Sequence, residues 1–136
     1  MKYRMVDIFV VVRMTLAAMC MALVAGCSDR DALQRLEDAE KIMAAEPERA
    51  LEMVESVDPT KLRTEEHRAR YALIYSEACY YNYVDIESDS LTRPMMRYYL
   101  ESEKHDERAR AMYQHAVVAQ RCGELAEAMV SLMPGQ

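Results

Sequence analysis

The chain has no tryptophan, one phenylalanine (Phe9), three glycines and four prolines in 136 residues. With so few breakers and almost no runs of β-branched residues, a sheet protein is excluded and helices remain. Signature motifs of catalysis are missing as well. There is no Ser-His-Asp ordering, no glycine-rich phosphate loop and no HExxH. His67, His105 and His115 have no spacing suited to a metal, although a fold could bring His67 and His115 together. Glu65 and Glu66 are neighbours on a helix and point apart, which makes them poor acid/base partners. The sequence Asp85-x-Glu87-x-Asp89 begins like a calcium loop, but Ser90 stands where the turn needs glycine and Met96 where it needs a bidentate glutamate. The expectation is a non-enzyme without metal or cofactor. Long apolar runs are also absent: the longest, Met14 to Gly26, has 13 residues and is short for a membrane span.

What is present begins at that run. Lys2, Arg4 and Arg13 precede it, and it turns into Ser28-Asp29-Arg30-Asp31 within two residues. A basic start, a short apolar core and small residues before the change describe a secretory signal. Asp7 is unusual in such a basic region and is consistent with a true start codon downstream of Met1. A transmembrane anchor is the competing reading, opposed by the missing stop-transfer pattern.

Val24-Ala25-Gly26-Cys27 resembles the lipobox of bacterial lipoproteins: an aliphatic residue, two small ones, then a cysteine. The thiol accepts a diacylglycerol, and small neighbours admit the protease. The resemblance implies cleavage between Gly26 and Cys27, with Cys27 as the acylated first residue of a domain spanning 27–136. Each buried methylene is worth about 0.8 kcal/mol, so two or three chains hold essentially permanently. Removing 1–26 takes away three basic groups and one acidic group, so the net charge moves from −6 to −8. Such a chain lacks the basic stripe that nucleic acid needs, and it has no electrostatic pull toward anionic lipid. The acyl chains must hold it to the membrane. Cys79 and Cys122 remain in a disulfide-permissive compartment, either as two buried small hydrophobes or as a bond.

Six helical segments follow from spacing and punctuation. The first is expected over 29–45, capped by Asp29 and carrying Leu33, Leu36, Ala39 and Met43. Pro47 starts the second, which Asp58-Pro59 ends. Thr64 caps the third, whose inner face reads Ala69, Ala72, Leu73, Ser76, Cys79, Tyr80 and Tyr83. After the polar break 85–90 a short fourth helix runs from Leu91 to Glu101, with Pro94 in its first turn. Asp106 caps the fifth, with Ala109, Met112, Tyr113, Ala116, Val117 and Gln120 inward. Gly123 is its left-handed stop, and Glu124 opens a sixth helix that ends at Pro134-Gly135.

The segment Met112 to Ala128 resembles a tetratricopeptide (TPR) repeat, with Ala116 and Ala128 at the small positions and Gly123-Glu124-Leu125 as the turn. Met112 and His115 depart from its large aromatic and leucine. Ala72 and Ala116 look equivalent but lie 44 residues apart, against a usual period of about 34. The acidic insertion 85–90 accounts for part of the excess. Pro47 to Asp58, Ala69 to Ile74, Glu87 to Leu91 and Tyr98-Tyr99 together resemble a family of bacterial TPR lipoproteins. This implies an all-α, antiparallel helix-hairpin solenoid of about two and a half repeats, lipid-anchored and facing the periplasm or cell exterior. Members of that family usually continue further, so the chain reads as a minimal or a truncated member. About three repeats are needed for independent stability, so weak stability or self-association through the C-terminal helix is expected.

Eight of the nine tyrosines lie between Tyr71 and Tyr113. Tyr71, Tyr75, Tyr81 and Tyr113 sit on first-of-pair helices and form a candidate binding face, with core packing as the alternative for each. Three functional readings result: an envelope scaffold for an unidentified protein partner, a small carbohydrate- or peptide-binding lipoprotein, or a truncated remnant of a longer protein.

Overall fold

The structure is a computed structural model that describes the backbone of residues 2–123 and the side chains of 5–16 and 29–123. Its regular elements are helical: α1 (Lys2–Ile42), α2 (Pro47–Glu55), a 3-10 turn (Pro59–Lys61), α3 (Glu65–Tyr81), α4 (Thr92–Leu100) and α5 (His105–Arg121). Among the described residues there is no strand. The expected sixth helix, with its self-association surface, lies outside them.

Local signals explain most boundaries. Pro47 occupies the first turn of α2, where its missing amide hydrogen costs nothing. The Asp58 carboxylate accepts from the Thr60 amide (3.0 Å) and hydroxyl (2.6 Å), turning the chain after α2. Thr64 caps α3 by accepting from the His67 amide at 3.1 Å. Gly123 closes α5 at φ +76°, in the left-handed region open to glycine.

Two expected caps are corrected. Asp29 does not cap a helix, because α1 runs through it from Lys2. No proline interrupts that stretch, and one internal glycine costs only about 1 kcal/mol of helix. Asp106 lies within the first turn of α5, whose N-cap is Lys104 without a side-chain bond.

Helix α1 packs on α2 and α3, α3 packs on α2, α4 and α5, and α4 packs on α5. Polar partners between α3 and α5 advance together (Glu66 with Lys104, Glu77 with Arg110, Tyr80 with Tyr113), so these helices run parallel. Asp29 with His67 and Glu40 with Arg70 give α1 the same direction. Thus α1, α3 and α5 lie side by side, and the chain returns through α2 and α4.

Two apolar cores flank α3. The first gathers Leu36 and Ala39 of α1, Met43 just after it, Ala50 and Val54 of α2, and Tyr71, Ile74 and Ala78 of α3. The second joins Ala69, Ala72 and Leu73 of α3 to Met95 and Tyr99 of α4 and Ala111 of α5. Helix α3 is therefore buried on two sides, not along the single stripe expected, and Tyr80 and Tyr83 of that stripe are exposed. On α5 the buried residues are Ala111, Gln114, Val118 and Ala119. Ala109, Met112, Tyr113, Ala116 and Gln120, expected inside, are exposed. The buried face of α5 is built from small and polar residues, because it must lie close to α3 and α4. The more apolar stripe beside it misleads. Apolar residues 5–16 of α1 join neither core and are exposed throughout.

Candidate functional site

The four tyrosines proposed as one face divide into two places. Tyr71 is buried in the first core and Tyr75 packs against that core. Their rings stack at 5.7 Å with planes 12° apart. Burial pushes the Tyr75 hydroxyl up to about 12, and raises Tyr71 as well. On its other edge Tyr71 borders a cavity of about 370 Å³ with Ala69, Leu91, Pro94 and Met95. These two rings are architectural.

Tyr81 and Tyr113 are exposed, and what joins them is Tyr80. Its ring meets Tyr81 edge-on at 6.1 Å and Tyr113 at 5.8 Å. The Tyr113 hydroxyl donates to that of Tyr80 at 3.0 Å, which raises the Tyr113 phenol above its ordinary range. Tyr83 stands beyond them, 91% exposed at φ +57°. The α3 C-terminus explains the strain. The Val84 amide donates to the Cys79 carbonyl (2.9 Å) and the Tyr83 amide to that of Tyr80 (3.2 Å), a closing turn that normally has glycine at the position of Tyr83. Asn82 fixes the turn by donating to the Pro47 carbonyl at 2.8 Å. The result is a ledge of four exposed rings. Sequence reading placed Tyr80 and Tyr83 in the core; Asn82 and the polar break after it were the signals that the helix ended and its last turn faced water.

Beside the ledge runs an ionic seam that no sequence pattern announced. Arg110 of α5 donates to both carboxylate oxygens of Glu77 on α3 (2.7 and 2.5 Å) and pairs with Glu40 of α1 at 2.6 Å. Arg70 of α3 donates to the other oxygen of Glu40 at 2.9 Å. The Glu77 bonds and then those of Glu40 hold the Arg110 guanidinium in its charged form. Four charges on three helices thus clamp one layer. Charge-assisted, bidentate contacts are the strong kind.

Elsewhere the titratable groups are spent on structure. His67 and His115 do not meet: His67 Nδ1 is buried 3.5 Å from Asp29, and His115 hydrogen-bonds the buried Thr92 hydroxyl at 3.0 Å. Asp85 pairs with Arg121, and Asp89 with Arg93 at 2.5 Å. Among the described residues no group of His, Cys, Asp and Glu could hold a metal ion. Cys79 and Cys122 are both free, with Cys79 buried and its thiol pushed up by that burial. The backbone of Gly26 and Cys27 is part of α1, and their side chains lie outside the described ones. No helix of the described residues is long and apolar enough to cross a membrane. No family model, curated protein or solved structure matches the chain.

Proposed function

We propose that the protein is a lipid-anchored, non-catalytic scaffold of the bacterial envelope, a TPR-type helical-hairpin solenoid of about two and a half repeats held by acylated Cys27. One observation carries the reading. The lipobox-like Val24-Ala25-Gly26-Cys27 ends an apolar segment, and α1 continues from it without a break into a layer where α1, α3 and α5 lie side by side. Such a layer offers partners an extended, rigid surface, and here that surface includes the Tyr80–Tyr81–Tyr83–Tyr113 ledge. Metabolic labelling with an alkyne fatty acid tests the anchor. Label is expected on the wild-type chain and absent from Cys27→Ser. Crosslinking in envelope preparations tests the scaffold: one discrete protein is expected with wild type and lost with the double variant Tyr80→Ala, Tyr113→Ala.

A second reading takes the same ledge as a site for a small sugar or peptide, since exposed aromatic faces stack on both. Saturable quenching of tyrosine emission by an oligosaccharide panel, without a crosslinked protein, favours it over the scaffold.

A further inference from the structure

The acylation site and the folded domain are almost adjacent. Only Ser28 separates Cys27 from Asp29, whose carboxylate lies 3.5 Å from His67 at the start of α3. Ala32 and Leu33 then pack on the first core. Along a helix, Cys27 to Ala32 is about 8 Å, and even a fully extended chain gives no more than about 18 Å. A flexible tether of thirty residues would instead spread over about 30 Å.

The same end of the molecule carries two connections. Asp29 and Arg35 share a recess with Asp58 and Lys61, which puts the α2–α3 turn beside the start of the domain. Glu65 shares another with Arg97, Tyr98 and Glu101, and Lys104 Nζ donates to Glu66 at 2.7 Å. The α4–α5 turn therefore lies at that end too. Tyr83 stands at the other end of α3, about 24 Å away along the axis.

We propose that this end is a membrane-facing rim, seated on zwitterionic phospholipid headgroups, with the tyrosine ledge turned away from the bilayer. The inference rests on acylation of Cys27. Charge supports the choice of surface. The rim mixes both signs: Lys61 pairs with Asp58 at 3.6 Å and Lys104 with Glu66 at 2.7 Å, and Asp31, Arg35, Glu65, Arg97 and Glu101 line the recesses beside them. Paired charges of both signs match a headgroup layer that also carries both, and they spare an acidic chain the repulsion of a bare carboxylate surface.

The test uses the acylated full chain in phosphatidylethanolamine-rich vesicles, with Cys122→Ser as background. A fluorophore is placed at Lys61→Cys, whose side chain is 70% exposed, or at Tyr83→Cys. Nitroxide-headgroup lipid should quench the first several-fold more than the second. Twelve Gly/Ser residues inserted between Ser28 and Asp29 should abolish the difference. Equal quenching at both positions, with the acyl mass present at Cys27, overturns the orientation and leaves the anchor standing. Absence of the acyl mass overturns the anchor and the orientation with it.

Discussion

Helix α1 contains two regions that differ in everything except helicity. Residues 5–16 are mostly apolar and exposed, with Phe9 at 70%. Leu36 and Ala39, on the same helix, are wholly buried. The helix that contains both is continuous because nothing in the sequence breaks it. Domain membership is decided by contacts, and among the described side chains those of α1 begin at Asp29. Residues 5–16 join neither core, while the C-terminal region is held by a core and an ion clamp.

Four perturbations probe the difference between these regions. The largest effect is expected from Leu36→Ala, which should destabilise the full chain by about 3 kcal/mol in urea unfolding; Phe9→Ala should stay within about 0.5 kcal/mol. Equal losses would mean that both regions belong to one core. Alkali comes next. Tyr75, packed against the core that holds α1, and Tyr99 are both raised by burial to about 12 from 10. A raised folded value gives stability that is complete below pH 10 and lost as pH climbs toward 12. About 2 kcal/mol should disappear there, after discounting the wet edge of Tyr75. The tyrosinate absorbance that Tyr75→Phe and Tyr99→Phe remove should appear together with the loss of circular dichroism; its appearance near pH 10 without unfolding would contradict the burial.

Arg110→Met should cost about 1–2 kcal/mol, less than a fully buried pair because the arginine is partly wet. It leaves Glu77, only 11% exposed, without its strongest partner. Hydrogen exchange should then accelerate at 36–42 of α1, which the clamp reaches through Glu40, and not at 5–16. The smallest change has the opposite sign. Tyr83→Gly relieves the positive φ and should stabilise by about 1 kcal/mol, with neither region of α1 altered. Destabilisation would show that the Tyr83 ring packs on something that its exposure does not reveal.

Sequence reading reached the features that depend on local chemistry: Pro47 opening α2, Asp58-Pro59 ending it, the Thr64 cap, the polar break before α4 and the Gly123 stop. It failed where burial depends on neighbours from elsewhere in the chain. Helix α3 has no single apolar stripe because α1 and α2 cover one side while α4 and α5 cover the other. On α5 the apolar stripe faces out, and Ala111 and Gln114 face in. The clamp of Glu40, Arg70, Glu77 and Arg110 was illegible, since charges on three separate helices have no common spacing. Of the four tyrosines expected on one face, Tyr81 and Tyr113 are exposed, while Tyr71 and Tyr75 pack in the first core. The missing pair, Tyr80 and Tyr83, required knowing that α3 ends in a strained turn.

The anchor is the claim on which address, orientation and scaffold all depend. Intact-mass spectrometry of the protein purified from its native host tests it most directly. A chain that begins at Cys27 and carries diacylglyceryl mass on its sulfur is the predicted result. A chain that retains residues 1–26 with a free Cys27 thiol would contradict it.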